Sequence, residues 1–582
     1  MTTLKKYWLT VGFILSSVLY IPCAICQETQ KFQVFKLENE IGTEEVSSST
    51  TANGPSNHIV IRTQDREKKL LLTADLTINN LGLKFISKGY TSRYKQETLD
   101  TLIDVASGFP LSQNGSIKMR EMLIAYWLKA GRPKTFKSAL DGSEINIIEI
   151  NQPTAPVHKG LKAYLINHGL DEIFWTDGDG KSAFLTTTDT EGDKREVIAE
   201  RYLPQFSSLN HQSTQFLLQA YKEKGSIIGK SHEVIAILGG NIIDVTRGGE
   251  LQKNTMVLII NGKIDYVGTV NNSLIPTGAH VIDASNKFLI PGLWDMHAHV
   301  FHPSYLRSAL LSGVTTVRDM GNEFDLVVQM KDLVSKGSVP APNLYAAGLL
   351  DGKSPATLGA VLARNTEEIK ANVKRYHNAG FSQIKVYSSI KKKNFDIIVA
   401  EAKRFQMPVV GHLPTGYKLN YFINNGLNSL SHIHFFANNL KWTSGDFVAA
   451  NKDLLDNMIA KHTYLDPTLN IYRLTKDKNV GAYFKFVKMF ADYGIPIVAG
   501  TDNEGTIPEE IQSYVQLGLK PLEAIRAATI VPATIMGAAK ESGSIEKGKT
   551  GDLLILDDNP LLNISILNKI RTIVRGQFVI DR

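Results

Sequence analysis

Between residues 290 and 540 the chain alternates short apolar strand patterns with helical patterns, and this alternation limits the fold more than any other feature. Eight candidate strands can be counted, and a helical pattern follows most of them. They are Leu289–His299, Val314–Met320, Leu344–Leu349, Gln383–Tyr387, Val409–Leu413, Ser429–His434, Tyr464–Leu469 and Ile497–Asp502. Alternating strands and helices predict a parallel sheet. Eight such units over about 250 residues favour a (β/α)8 TIM barrel over an open sheet.

Two β-rich segments flank this barrel. Residues 229–289 carry a strong hairpin signal, because Asn261-Gly262 separates two apolar runs and suits a type I′ turn. Residues 541–582 have the same β character. A β unit on each side of the barrel predicts one small, discontinuous β-sandwich built from both segments, with the barrel itself at 290–540.

Residues 27–228 form an extra N-terminal part of the chain. Residues 27–58 are polar and rich in Ser, Thr, Glu and Asn, which is typical of a linker. From about 58 to 205, short strands separated by turn residues predict a β-rich domain. Asp177-Gly178-Asp179-Gly180 is interpreted as a tight turn rather than a calcium loop, because no Glu follows at calcium-loop spacing. No motif in this domain indicates a chemical role.

Residues 1–26 have the pattern of an export signal. Lys5-Lys6 precede an almost wholly apolar run, Pro22 breaks it, and Ala24-Ile25-Cys26 forms a small-x-small cleavage site. Two alternatives stay open: an uncleaved membrane anchor, for which the run is short, and a lipoprotein acylated at a cysteine. The expected location is periplasmic or secreted, with no stable membrane span after cleavage of the signal.

Composition excludes several classes of function. Both cysteines, Cys23 and Cys26, lie in the leader, so the mature chain is expected to lack thiol catalysis, disulfides and zinc–cysteine sites. A formal net charge of +7 over 582 residues is too dilute to indicate nucleic-acid binding. A homo-oligomer stays open.

Metal-ligating side chains stand at the ends of the predicted strands. Residues i and i+2 of a strand share a face, so His297 and His299 project together from the first strand. The other ligand types close later strands: His412, His432 and Asp502. Because the carboxyl ends of barrel strands meet at one mouth, these residues predict a site for Zn²⁺ or a similar divalent ion. His434 shares the predicted strand face with His432 and is an alternative ligand.

Lys385 lies inside the predicted fourth strand, within Ser382-Gln383-Ile384-Lys385-Val386-Tyr387. A buried ammonium group is costly, and its charge would repel metal ions. One interpretation is a salt-bridged lysine that stabilises the barrel. The other is a neutral amine that takes up CO₂ and becomes a carbamate, whose two oxygens can bridge two cations.

These segments resemble the amidohydrolase superfamily, specifically its imidazolonepropionase-like, metal-dependent dipeptidase branch. The resemblance covers about residues 232–582 and depends on the order and spacing of seven motifs. They are Pro291-Gly292-Leu293-Trp294-Asp295-Met296-His297-Ala298-His299, Gly313-Val314-Thr315-Thr316-Val317-Arg318-Asp319, Ile384-Lys385-Val386-Tyr387, Val410-Gly411-His412, Gly426-Leu427-Asn428-Ser429-Leu430-Ser431-His432, Gly500-Thr501-Asp502 and Gly551-Asp552-Leu553. Two positions depart from the branch: Ser431 stands where Glu is usual, and Pro508 where many members have His.

The resemblance implies a binuclear metal centre, with zinc as the expected metal, that hydrolyses C–N bonds of small amides or peptides. Its ligands fall into two groups that share a bridge: His297, His299 and Asp502 for one ion, His412 and His432 for the other, and carboxylated Lys385 with a hydroxide between them. The hydroxide would attack the carbonyl while Asp502 acts as general base. Dipeptides are the expected substrates, and Tyr387 and Arg318 are candidates for binding a substrate carboxylate.

Other functions stay open. Within the superfamily, the chain could be a mononuclear cyclic amidohydrolase or deaminase, or a lactonase or esterase. Outside it, the chain could be a non-catalytic, metal-stabilised binding protein whose N-terminal domain carries the binding function. Lys385 and the export signal argue against a mononuclear enzyme, and the complete ligand set argues against a non-catalytic protein.

Overall fold

The computed structural model describes residues 28–582, apart from short gaps at 52–53, 66–67, 80–81, 92–93, 104–107, 112–114, 152–157, 190–191, 226–227, 355–356, 360 and 442–445. The predicted export signal lies outside the described residues. Among the helices that are described, none combines the length and the apolar character that crossing a membrane requires.

The N-terminal domain is built on one twelve-stranded antiparallel sheet with the order β6-β5-β4-β3-β2-β1-β12-β11-β10-β9-β8-β7. The strands are β1 Glu28–Lys36, β2 Asn39–Thr51, β3 Gly54–Asp65, β4 Lys68–Asn79, β5 Gly82–Thr91, β6 Tyr94–Ile103, β7 Phe136–Lys137, β8 Glu144–Ile150, β9 Lys162–His168, β10 Leu170–Thr176, β11 Ser182–Thr188 and β12 Lys194–Ala199. Helix α1 (Ile117–Lys129) packs on one face of this sheet and helix α2 (Phe206–Gly225) on the other. Successive side chains of β10 therefore enter opposite cores, Phe174 the α1 core and Trp175 the α2 core.

The prediction of a linker at 27–58 is wrong for the described part of that range, because β1, β2 and the first residues of β3 lie there. Although this range is polar in composition, buried and more exposed side chains alternate along its strands. Phe32 and Val34 in β1 and Val46 in β2 are buried in the α1 core, while their direct polar neighbours Gln33 and Glu45 are more exposed. One buried face is enough to hold a strand in register even when the other face is polar.

The next segment supplies six strands of a second sheet: β13 Lys230–Ser231, β14 Val234–Ile243, β15 Leu251–Ile260, β16 Lys263–Thr269, β17 His280–Asp283 and β18 Phe288–Pro291. The hairpin predicted at Asn261-Gly262 is confirmed, since β15 and β16 pair antiparallel and both turn residues have positive φ. Positive φ at both central positions is what a type I′ turn requires.

The barrel follows, with seven parallel strands in sequential order. They are β19 Leu293–Ala298, β20 Val314–Asp319, β21 Asn343–Leu350, β22 Gln383–Val386, β23 Val409–Gly411, β24 Leu427–Ser431 and β25 Tyr464–Asp466. The helices of this region are α3 Ser304–Leu311, α4 Phe324–Ser335, α5 Thr366–Asn378, α6 Lys392–Arg404, α7 Leu419–Asn424, α8 Ile433–Ala437, α9 Phe447–Ala460, α10 Leu469–Leu474, α11 Val480–Asp492, α12 Ile507–Gln516, α13 Pro521–Arg526 and α14 Ile530–Ile535.

The predicted eighth strand, Ile497–Asp502, forms an isolated bridge with Leu465 rather than a regular strand. Its backbone nevertheless closes the barrel. The Val498 amide donates to the Leu465 carbonyl at 3.0 Å, and the Met296 amide donates to the Ala499 carbonyl at 2.8 Å. The TIM-barrel prediction is therefore confirmed, with an irregular last segment between β25 and β19.

The predicted first strand, Leu289–His299, is in fact two strands that belong to different sheets. β18 pairs with the second sheet and β19 with the barrel, and Gly292 separates them. A Cβ at Gly292 would lie 2.2 Å from Thr315 Oγ1, so the close approach of β20 requires glycine there.

The chain then returns to the second sheet through β26 Leu553–Leu556, β27 Ile570–Arg575 and β28 Phe578–Asp581. β26 pairs antiparallel with β18, so strands from both sides of the barrel belong to one nine-stranded sheet. Alternate residues of β26 face different cores: Leu553 and Ile555 pack within this small domain, and Leu554 and Leu556 pack into the barrel core.

The N-terminal sheet contacts the barrel through a buried ionic cluster. Lys194 at the start of β12 donates to Glu323 Oε2 at 2.5 Å and to Asn210 Oδ1 at 2.7 Å, and it pairs with Glu196 at 3.0 Å. Glu323 is the residue that precedes α4 of the barrel, and Asn210 Nδ2 donates to its other oxygen at 2.8 Å. Burial alone would lower the pKa of Lys194, but the two glutamates outweigh it and raise that pKa. The cluster therefore holds β12 against the barrel.

Glu38, in the β1–β2 turn, lies beside this cluster, and burial together with the charge of Glu323 raises its pKa to about 7. A carboxyl group with a higher pKa in the folded than in the unfolded state favours folding when protonated. Its contribution is full below about pH 4.5 and is lost as the pH rises through about 7. We expect Glu38→Gln to raise the free energy of unfolding at pH 8, by at most about 3 kcal/mol, and to have little effect at pH 4.5.

Urea unfolding at the two pH values measures this difference. The exposed Glu40 on the same hairpin supplies the control, since Glu40→Gln should change stability little at either pH. An equal effect of Glu38→Gln at both pH values would contradict the prediction.

Candidate metal centre

The residues predicted to bind metal come together at the carboxyl ends of the barrel strands. His299, His412, His432 and Asp502 line a cavity of about 390 Å³ at this end of the barrel. His297 and Lys385 do not line the cavity and are fully buried, with Lys385 Nζ 3.3 Å from His297 Nε2. The barrel topology thus places all six side chains in one centre, although they are up to 205 positions apart in the chain.

Asp502 lies beside histidines of both predicted ligand groups. Its Oδ1 is 3.3 Å from His299 Nε2 and 3.6 Å from His297 Nε2, and its Oδ2 is 3.6 Å from His432 Nδ1. The ligand atoms of His297, His432 and Asp502 all lie within 4.8 Å of one another. On the far side, the His412 ring centroid is 4.8 Å from that of His432. The distances allow both ligand groups, and the division of ligands between two ions stays a prediction.

The protonation states of these groups suit a divalent cation. Burial lowers the pKa of His297, His412 and His432 well below the usual value, and nearby Lys385 adds to the effect. Burial alone would raise the pKa of Asp502, but the surrounding histidines outweigh it and lower that pKa. Neutral imidazoles and an ionised carboxylate are the forms in which these side chains bind metal. Burial alone would lower the pKa of His299 as well, but its contact with Asp502 outweighs burial and raises that pKa. The donor types of the centre fit Zn²⁺ or a similar ion.

Lys385 is not a salt-bridged barrel lysine. Within the described part of the chain, no carboxylate lies within ion-pairing distance of its Nζ. Burial lowers its pKa to about 8, so a substantial fraction of the amine is neutral near physiological pH. Gly411 makes room for the side chain, because a Cβ there would lie 2.5 Å from Lys385 Cδ. An uncharged amine in this position supports the carbamate interpretation.

Asp466, at the end of β25, is a site residue that the sequence analysis missed. Its Oδ2 is 2.6 Å from His297 Nδ1 and accepts hydrogen bonds from Arg318 Nη2 at 3.1 Å and Ser431 Oγ at 3.2 Å. A carboxylate on Nδ1 directs Nε2 of the same ring towards the metal centre. The available signal was its position at the end of the seventh strand, but the predicted strand continued to Leu469 and concealed it. Burial raises the pKa of Asp466 to about 6.

The prediction that Arg318 binds a substrate carboxylate is wrong. Its guanidinium is fully buried below the centre and is already occupied. Nε donates to the Met296 carbonyl at 2.6 Å, and Nη1 donates to Gln383 Oε1 at 3.1 Å and to Tyr464 Oη at 2.5 Å. Together with its bond to Asp466, these contacts give Arg318 a supporting position beneath the histidines.

The alternative ligand His434 does not share a strand face with His432. β24 ends at Ser431, His432 has a φ of 58°, and α8 begins at Ile433, so the alternation of strand side chains stops before residue 434. His434 lies at the cavity wall, where its Nδ1 is 2.6 Å from Tyr472 Oη. Its ring centroid is 6.1 Å from that of His432.

Comparison with known proteins identifies relatives of the barrel. The model of the amidohydrolase family matches residues 288–579, half of the 582-residue chain. Ochratoxinase from Aspergillus niger is 23% identical over 355 residues, which cover 48% of this chain and 72% of the relative. An adenine deaminase from Clostridium perfringens is 23% identical over 341 residues, which cover 56% of each chain.

Among solved structures, a putative prolidase from Bifidobacterium longum has a TM-score of 0.52 and 23% identity over 61% of this chain and 96% of its own. The similarity supports the barrel fold. The family match begins at residue 288, so the N-terminal sheet lies outside it. Matching motifs and a barrel with metal-ligating residues at its strand ends indicate a metal-dependent hydrolase of C–N bonds. The chain therefore belongs to the amidohydrolase family.

Proposed function

We propose that the protein is a binuclear hydrolase that cleaves the amide bond of dipeptides and related small amides. The observation that carries the proposal is Lys385, a buried amine without a carboxylate partner among the described residues, next to His297. A site for a single ion would not need an additional bridging ligand there. The leader at residues 1–26 supports the further proposal that the enzyme acts in the periplasm or outside the cell.

The residues of the chain have separate tasks in this reaction. Two divalent ions, when bound, would acidify a water molecule and polarise the substrate carbonyl. Asp502 is ionised, reaches the cavity and lies beside His299, so it can accept the proton of the attacking water and pass it to the leaving nitrogen. Asp466 holds the His297 ring in one orientation through the contact at Nδ1. Tyr387 lines the cavity beside His412 and can contact the substrate.

The cavity supports a small substrate. A volume of about 390 Å³ is suited to a ligand of dipeptide size and too small for a folded protein substrate. The similarity to a putative prolidase is compatible with peptide bonds as the target. The similarity to an adenine deaminase keeps a deaminase as the second candidate.

Metal analysis combined with a substrate panel tests the proposal. We expect about two divalent ions per chain in zinc-loaded protein and hydrolysis of at least some dipeptides. A chelator should abolish the activity, and added Zn²⁺ should restore it. Asp502→Asn should lower kcat about a hundred- to thousandfold, as expected for loss of a general base.

The alternative functions give different results in the same panel. One ion per chain together with release of ammonia from adenine would favour the deaminase. Hydrolysis of lactones without any amide hydrolysis would favour an esterase-type enzyme. Metal binding without hydrolysis of any substrate would favour the non-catalytic protein.

A further inference from the structure

The N-terminal domain forms part of the wall of the metal cavity. Asp193, immediately before β12, lines the same cavity as His299 and Asp502. Leu37, in the β1–β2 turn, packs in one cluster with Phe301 and with other residues of the cavity wall. Because the family match begins at residue 288, this part of the wall is an addition to the family core.

The position of Asp193 is held by contacts on both sides. Its backbone amide donates to Asp189 Oδ1 at 3.0 Å, and the Asp189 amide donates to its carbonyl at 2.9 Å. Its Oδ2 pairs with the buried ammonium of Lys36. The next residue, Lys194, is bound to Glu323 of the barrel. These contacts fix the position of the Asp193 carboxylate at the cavity wall.

The ammonium of Lys36 is not reserved for Asp193. Lys36 also pairs with Asp65 at 2.7 Å and with Asp189 at 2.9 Å. Burial raises the pKa of Asp193, and the charge of Lys36 opposes that effect. The ion pair uses Oδ2, and Oδ1 of Asp193 has no hydrogen-bonding partner within the described residues.

The charged side chains of the cavity lining are acidic. They are Asp193, Glu504 and the predicted metal ligand Asp502, and the described lining residues include no lysine or arginine. Aromatic rings complete the wall: Phe301, Tyr387, Phe435 and Tyr472. Carboxylates and aromatic faces both attract organic cations.

We infer that Asp193 is a subsite for a cationic side chain of the substrate, so that amides carrying a guanidinium or an ammonium group are preferred. The inference rests on the proposed function for its hydrolytic readout. The cation would donate a charge-assisted hydrogen bond to Oδ1, in a place where partial burial strengthens the interaction. The N-terminal domain would then determine specificity while the barrel carries the chemistry.

Arginine and its neutral isostere citrulline provide matched probes. Hydrolysis of Arg-Gly and Gly-Arg is compared with that of the two citrulline dipeptides, on zinc-loaded full-length protein. Calorimetry measures the binding of free arginine and free citrulline to the same protein. We expect the wild type to prefer the cation by about tenfold or more, the size expected for a hydrogen bond to a charged group. Asp193→Asn should reduce that ratio to about twofold or less.

Two control variants isolate Asp193. Asp65→Asn removes another partner of Lys36 but changes no residue of the cavity lining, so the preference should persist. Glu504→Gln removes another carboxylate of the lining, and the preference should again persist.

Absence of dipeptide hydrolysis and absence of a preference for cations are separate results. If no dipeptide is hydrolysed, dipeptidase function fails, and the calorimetric comparison alone decides about Asp193. Equal affinity of the wild type for arginine and citrulline would overturn the subsite without reference to any variant. A preference that survives Asp193→Asn, or that is lost in Glu504→Gln instead, would overturn it as well.

Discussion

Replacement of Lys385 by alanine is expected to lower kcat/KM for the best dipeptide about a thousandfold and to reduce the metal content below two ions per chain. The side chain is fully buried, 3.3 Å from His297, and makes no ion pair with a described carboxylate. Its pKa of about 8 leaves enough neutral amine to react with CO₂. If the carbamate is the bridging ligand, its loss removes the anion that keeps two cations close together.

Three measurements test this expectation. Elemental analysis gives the number of ions, and ¹³C NMR after incubation with labelled bicarbonate should show a carbamate carbon in the wild type only. Acetate or propionate should partly restore activity to Lys385→Ala, because a small carboxylate can occupy the space of the lost group. The control is Lys393→Ala, at an exposed position on α6. Two ions and full hydrolysis in Lys385→Ala would contradict the carbamate bridge.

The second large effect is expected at the interface between the N-terminal sheet and the barrel. Lys194→Met should lower the free energy of unfolding by about 3–5 kcal/mol, the usual cost of leaving a buried charge without its partner. Methionine preserves most of the volume but leaves Glu196 and Glu323, both fully buried, without a cation. Burial raises the pKa of Glu196 to about 8, so Glu323 is the carboxylate that most needs Lys194.

Urea denaturation measures this loss in Lys194→Met and in a control variant, Lys336→Met. Lys336 and Asp332 form an ion pair of 2.5 Å, the same length as the Lys194–Glu323 pair, but both side chains are more than 60% exposed. Lys336→Met should therefore cost no more than about 1 kcal/mol. Adding Glu323→Gln to Lys194→Met should recover part of the lost stability. Similar losses in the two single variants would show that burial does not control the strength of the interface pair.

Much of the barrel and its centre could be predicted because both follow a local rule. Apolar runs of strand length alternate with helices, and the residues that close those runs face one mouth of the barrel. That rule located His297, His412 and Asp502 before any distance was known. It failed at Asp466, where a strand ended earlier than its apolar pattern. It also failed at His434, because the left-handed backbone at His432 turns the chain into α8.

The N-terminal domain was harder to predict for a different reason. Its first strands are polar in composition, and only the spacing of Phe32, Val34 and Val46 marks the buried face. Residues 27–58 resemble a linker because the outward faces of those strands are polar. Composition alone does not distinguish such strands from a linker.

The sequence by itself determined the chemistry that this chain can carry: imidazoles, a carboxylate and a lysine at the ends of barrel strands, with no cysteine after Cys26. Only the tertiary structure decided which distant groups support and surround that chemistry. Asp466 contacts His297 from 169 positions away, and Asp193 enters the cavity from a different domain. The periodicity of the sequence does not predict such contacts, because they arise when the strands close into a barrel and a second sheet packs against it.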